Sequence, residues 1–158
     1  MGSDVEEILA KTRSTHAKLL AFLQGIAPDV ADRRLGEGWT IRETVGHLVD
    51  AEKAHRRFIE TVAGGQAMPE VAGFDLNAWN AARVAKRAGQ SLPDLVADVE
   101  RERALTMALL ATLTDDARSR VGMHAALGEV SVDYVARIVG LHERSHLQEM
   151  QDALKASA

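Results

Sequence analysis

The stretch Trp39-Thr40-Ile41-Arg42-Glu43-Thr44-Val45-Gly46-His47-Leu48 opens the second of four long helical patterns, and its reading decides the fold. Thr40 and Glu43 form a capping box, in which a hydroxyl and a carboxylate three residues apart satisfy amides at a helix start. Trp39, just ahead of the cap, is a candidate staple residue. From Ile41 to about Val62 the apolar residues Val45, Leu48, Phe58, Ile59 and Val62 recur at helical spacing, and Gly64-Gly65 ends the run. One residue is out of character: His47, beside Leu48, on a face continued by Thr44, Ala51, Ala54 and Phe58.

Upstream, a helix is expected from about Asp4 to Ile26, opened by Ser3 and Glu6 as another capping box, with Pro28 just beyond it. Downstream, the polar connection from Gly64 to Gln90 is too long for a bare loop in a compact domain, so a short helix is expected over Leu76 to Lys86. A third long helix opens at Ser91 and runs to about Leu113. Gly122 and Gly128 mark a loop with two or three residues of strand character at most. The fourth helix starts after Ser131 and runs to about Lys155. Four such helices without strand-like alternation of comparable length predict an all-α, four-helix bundle whose second connection is the long one. The 158 residues suit one domain, 1–158, around one core.

Composition narrows the function classes. Aromatic residues are only 4% of the chain, so aliphatic packing must fill the core and few rings are available to enclose a porphyrin. A formal net charge of -4 argues against nucleic acid as a main partner, and the pairs Arg33-Arg34 and Arg56-Arg57 are too short to reverse this. Zero cysteines exclude disulfides, thiolate metal sites and a cysteine nucleophile, and fit a reducing cytoplasm. The acidic start lacks a signal core, Glu6 stands where a myristoylation signal needs Ser or Thr, and no apolar run approaches the ~20 residues of a membrane span. A cytoplasmic protein without a membrane partner is expected.

The informative residues are the polar ones that interrupt apolar stripes. On the fourth helix the inward positions read Ser131, Val135, Ile138, His142, Ser145 or His146, then Glu149. His142 and His146 lie one turn apart on one face. His16 falls between Thr12 and Leu19. Glu102 and Arg103 stand where an apolar pair is due and read as a partly exposed ion pair; His55 and His124 read as surface residues. Asp50 and Glu52 lie about 60° and about 140° around the helix from His47, so no general base stands out. Glu149 is either a partner that orients a histidine or a surface charge. An unpaired polar group at core level costs several kcal/mol, and one divalent ion held by His47, His142 and His146 would account for three at once. Such a three-imidazole site leaves open positions that can activate water or polarise a substrate oxygen. A solvated histidine pair and a hydrogen-bonded core histidine are the competing readings.

Together these residues resemble the DinB/YfiT-like superfamily of metal-dependent bundle proteins. The likeness spans nearly the whole chain and is most specific in Gly38 to Glu52 and in Leu141-His142-Glu143-Arg144-Ser145-His146. It implies an up-down-down-up bundle, metal ligands at His47, His142 and His146, and a homodimer. Some relatives use a low-molecular-weight thiol, as in mycothiol-dependent maleylpyruvate isomerase and bacillithiol transferases, and Phe74-Asp75-Leu76-Asn77-Ala78-Trp79-Asn80 is similar to segments of that group. The isomerase has a carboxylate among its ligands and an extra C-terminal domain. This chain has His142 instead and no room for that domain, so isomerisation is not expected. The resemblance implies a thiol-dependent transferase or a hydrolase, using zinc or nickel on a small-molecule substrate. Asn80 and Trp79 are candidates for the pocket mouth, against ordinary packing. The alternatives are a non-catalytic, stress-related module that binds metal or small molecules, and a structural bundle whose histidines satisfy one another.

Overall fold

The computed structural model describes residues 3–158, with Ser3 described by its backbone alone. The Ser3–Glu6 cap and the Gly2 signal position therefore lie outside the described residues. In chain order the elements are α1 (Ser3–Gln24), α2 (Pro28–Ala31), α3 (Ile41–Ala63), α4 (Leu76–Lys86), α5 (Leu92–Ala111), α6 (Asp115–Ser119), β1 (Val121–His124), β2 (Gly128–Ser131) and α7 (Val132–Ala156). The capping box of α3 forms in both halves: the Glu43 amide donates to Thr40 Oγ1 at 3.1 Å and the Thr40 amide to Glu43 Oε2 at 2.9 Å. Asp75, Ser91, Thr114 and Ser131 cap α4, α5, α6 and α7 with the first half alone, each side chain accepting from the amide three residues on and contributing about 1 kcal/mol.

The four long helices pack in the cyclic order α1–α7–α3–α5. Direction follows from which residues meet. Thr12 lies against Gly140 and His16 reaches Glu143, so α1 and α7 are parallel. Leu95 packs beside Gly46 and Arg103 reaches Glu52, so α3 and α5 are parallel too. His47 meets His142, while Phe58 and Val62 cluster with Val132 and Val135, so α3 runs against α7. The topology is up-down-down-up. Parallel α3 and α5 require the chain to travel back along the whole bundle, which is why the second connection is long. Helix α4 fills it, and Arg87 at its end grips the buried Asp50 carboxylate through two bonds of 2.7 and 2.9 Å.

The core has two apolar layers. One gathers Ile8, Phe58, Ile59, Leu110, Val132 and Val135; the other Leu19, Ile41, Val45, Leu95, Val99 and Leu147. Between them runs a buried polar belt. Arg103, only 3% exposed, donates to both oxygens of Glu52 at 2.9 and 3.0 Å and to Glu143 Oε1 at 3.0 Å. His16 Nδ1 lies 3.0 Å from the other Glu143 oxygen.

Several expectations change here. Glu102 and Arg103 do not pair with each other, and both are buried. Their side chains diverge around α5, so Glu102 takes Arg56 at 2.6 Å while Arg103 turns to Glu52 and Glu143. The inward face of α7 is Val132, Val135, Ala136, Val139, Glu143, Leu147 and Met150, not the expected His142 register; the histidines flank it. The loop before α7 is a true hairpin, Val121–His124 paired antiparallel with Gly128–Ser131. It packs so closely on α3 that a Cβ on Gly122 would lie 2.5 Å from Val62 Cγ2. Helices α2 and α6 are too short to leave a periodic signature.

Removing Arg103 would strand two buried carboxylates. Arg103→Ala is expected to cost about 3–5 kcal/mol, the usual penalty for breaking a buried pair, seen as a lower denaturant midpoint. A shift below about 1 kcal/mol would show that the belt is hydrated and of little energetic weight.

Candidate metal centre

His47 sits on the second turn of α3, in the stretch Thr44 to Glu52 where every residue is buried. That burial follows from the topology, since α5, α7 and α4 all pack on this helix. His142 and His146 come from the flank of α7 that faces it. His142 Nε2 lies 3.2 Å from His47 Nε2 and 3.1 Å from His146 Nε2. One ligand atom from each of the three lies within 4.8 Å of the others, the one such group of three or more among the described residues.

These nitrogens test the metal reading. A ring nitrogen carries either a hydrogen or a lone pair, so His142 Nε2 cannot donate to one neighbour and accept from the other. Hydrogen bonding can serve the trio only through one three-centre bond shared at His142 Nε2, whereas one cation takes three lone pairs. Tetrahedral ligands at zinc–imidazole bond lengths stand about 3.3 Å apart, close to the two separations seen. His146 Nδ1 is 2.9 Å from Glu149 Oε2. A proton on that Nδ1 leaves the Nε2 lone pair facing the trio, as a carboxylate behind a ligating histidine does. Glu149 is thus both a surface charge and an orienting partner, at 64% side-chain exposure. His47 Nδ1 is buried with no hydrogen-bond partner among the described residues. Its ring packs on Trp39, 4.9 Å between centroids, so Trp39 serves the histidine rather than acting only as a staple. The residues fit a divalent cation.

Burial keeps His47 and His142 neutral. Burial, reinforced by the neighbouring His146, pushes His47 down to about 4. Burial and the neighbouring His146 and His47 push His142 down to about 3. Ligation needs neutral imidazole, so these groups are ready to coordinate at neutral pH. The nearby carboxylates are already held: Asp50 by Arg87, Glu52 and Glu143 by Arg103.

Two more histidines belong to this region, contrary to the expectation that they lie on the surface. His55 is half-buried, 5.8 Å from His142 between ring centroids, and His124 stacks on His55 at 5.5 Å. The β1–β2 hairpin delivers His124 from a remote part of the chain. Its Nδ1 accepts from the amides of Ala126 and Leu127 at 3.1 and 3.2 Å, so the ring hydrogen lies on Nε2. His55 Nδ1 is buried and unpartnered among the described residues, and burial, then His124, brings the ring down to about 4. No spacing rule in sequence pairs residues 55 and 124. His16 stays on the opposite side of α7, bound to Glu143.

A cleft of about 580 Å³ opens beside His146, walled by Trp39, Ile41, Thr44 and Met150, with Arg34, Glu37 and Glu149 also lining it. Neither Trp79 nor Asn80 lines it. Arg83 lies over the Trp79 ring at 5.2 Å, and Asn80 Oδ1 is buried without a partner among the described residues.

A family model described as the DinB superfamily matches residues 11–150. No curated protein matches the chain. Among solved structures, YfiT from Bacillus subtilis, described as a probable metal-dependent hydrolase with an unusual four-helix bundle topology, superposes with a TM-score of 0.82 at 18% identity, over 99% of this chain and 90% of that one. Mycothiol-dependent maleylpyruvate isomerase gives 0.72 at 18%, over 90% of this chain but 62% of its own length. The colibactin self-resistance protein ClbS, in complex with double-stranded DNA, gives 0.76 at 14%, over 96% and 95%. At such identities the likeness is one of fold. The ClbS complex means the fold by itself does not exclude nucleic acid, and the expectation against it rests on net charge. Among the described residues no helix is long and apolar enough to cross a membrane.

The depressed histidine pKa values set a pH dependence. The unfolded chain binds protons on these rings below about pH 6.5, whereas folded His47, His55 and His142 do so only near 3 to 4. Unfolding therefore takes up protons in this window, and stability is lost as pH falls from about 6.5 toward 4. Metal-free protein is expected to show a lower urea midpoint at pH 5 than at pH 7. The slope should flatten in a His55→Gln/His142→Gln variant, and an equal slope there would contradict buried neutral imidazoles.

Proposed function

The chain belongs to the DinB superfamily, and from that premise we propose that it is a metal-dependent enzyme acting on a small molecule, with His47, His142 and His146 holding one divalent cation. The observation that carries this reading is the convergence of three Nε2 atoms, which hydrogen bonding serves only through a shared three-centre bond at His142. Zinc and nickel suit an all-imidazole donor set. When bound, the cation supplies Lewis acidity and lowers the pKa of a nucleophile at an open position.

The chain's own residues do the rest. Glu149 holds the His146 ring by its Nδ1, so that Nε2 faces the other two histidines. Trp39 packs against the His47 ring, 4.9 Å between centroids. The carboxylates Asp50, Glu52 and Glu143 are engaged by arginines, so none is free to serve as a general base. A thiol ionises far closer to neutrality than water does and needs less help from a base. This favours thiol-dependent transfer to an electrophile, with a low-molecular-weight thiol as cosubstrate. Hydrolysis is the second reading, supported by the likeness to YfiT. The homodimer and the cytoplasmic location belong to the same proposal and rest on the family resemblance and the absence of cysteine.

Tag-free protein is expected to carry about one zinc or nickel per chain by elemental analysis, and His47→Ala or His146→Ala to lose it. Glu149→Gln should keep the metal but weaken binding about tenfold, the low end for a carboxylate behind a ligand. Thiol transfer to a bimane electrophile, assayed with cysteine, glutathione, bacillithiol and mycothiol, should fall at least about a hundredfold in His146→Ala. Ester hydrolysis in the same variant checks the second reading. Metal without turnover in either assay would leave a binding module; neither metal uptake nor a change in Tm on adding metal would overturn the proposal.

A further inference from the structure

The cleft beside His146 differs from an ordinary polar active-site mouth, because its polar side chains other than Glu37 already hold hydrogen bonds within the protein. Arg34 donates to the Gly38 carbonyl at 2.7 Å and to both oxygens of Glu43 at 3.3 and 3.4 Å. The Thr44 hydroxyl donates to the Thr40 carbonyl at 3.0 Å. Glu149 is taken up by His146. What these groups leave for a ligand is the apolar wall of Leu35, Trp39, Ile41, Met150 and Ala153. The volume of about 580 Å³ falls within the range of small-molecule sites.

Charge sharpens the choice. A charged group entering a partly desolvated cleft needs an opposite charge to offset its lost hydration. Arg34 is the one cation on the lining, and Glu43 neutralises it. Glu37, exposed at the rim, repels anions, while a cation held by the histidines repels a cationic tail. Trp39 joins the two regions, since it walls the cleft and packs on His47.

We propose that this cleft binds the uncharged, predominantly apolar tail of a small molecule whose polar head reaches the three histidines. The proposal rests on the reading of those histidines as a cation site and names the class of substrate that site takes. In a thiol-dependent reaction the cleft receives the apolar electrophile, and the hydrophilic thiol approaches from elsewhere.

The test uses cobalt-loaded protein and straight-chain hydroxamic acids from acetyl to octanoyl, with binding read from cobalt absorption. Affinity is expected to rise about threefold per added methylene until the cleft is filled. Succinic monohydroxamic acid, with a carboxylate at its end, should bind at least about tenfold more weakly than the pentanoyl compound. Ala153→Phe, which fills the cleft without touching a ligand, should flatten the chain-length dependence and leave the cobalt spectrum unchanged. If cobalt binds and affinity is independent of tail length, or Ala153→Phe keeps the dependence, the cleft proposal is wrong and the metal reading stands. If cobalt does not bind, the metal reading fails. The cleft is then judged in metal-free protein with the neutral dye Nile red, whose binding should quench Trp39 fluorescence and be lost in Ala153→Phe. No quenching there would overturn the cleft as well.

Discussion

One buried guanidinium ties the bundle together. Arg103 on α5 holds Glu52 on α3 and Glu143 on α7, and Glu143 in turn reaches His16 on α1, so all four long helices meet in one charged belt. Such a belt costs desolvation and is recovered only with close geometry and satisfied partners. It therefore sets the relative height of the helices more strictly than aliphatic contacts can, because Leu and Val pack nearly as well after a small slide. The apolar layers on either side supply most of the burial. The belt supplies register.

The histidine centre inherits that register. Glu143 is adjacent to His142 in sequence but about 100° away around α7. One turn of helix thus presents a carboxylate to the belt on one side and imidazoles to α3 on the other. On α3 the same division holds, with Glu52 turned to Arg103 and His47 turned to His142. Fixing the belt fixes the distance across which the ring nitrogens face one another. It also occupies carboxylates, so His47 and His142 stand in a nearly neutral surrounding with their pKa values pushed down by burial. Acidic groups that might have competed for a cation or served as bases are held elsewhere.

Much of the fold was legible because it is encoded locally. Thr40 with Glu43, Ser91 and Ser131 each satisfy amides within three residues, so the starts of three long helices are readable without knowing what packs on them. Leu76 to Lys86 was readable as a helix for a different reason, the length of a connection too long to stay bare. The parts that were not legible depend on partners far away in sequence. Arg103 looks like half of a pair with its neighbour until Glu52 and Glu143 are brought to it. His55 looks solvent-facing until a hairpin closes over α3, which depends on the missing Cβ of Gly122. The expected α7 register ran through His142, one position from the buried Glu143, whose partner Arg103 lies on another helix that the α7 stretch alone does not reveal.

The sequence alone determined a helical bundle, its long second connection, and the identity of three histidines able to converge, since periodicity, capping and the four-residue spacing of His142 and His146 are properties of short stretches. Tertiary structure alone decided that His47 meets His142 at 3.2 Å, that two further imidazoles stand behind them, and that an apolar cleft opens beside His146. The reason is physical. Helix propensity acts within a few residues, whereas distance between helices is set by packing and charge pairing among residues that the linear chain keeps far apart.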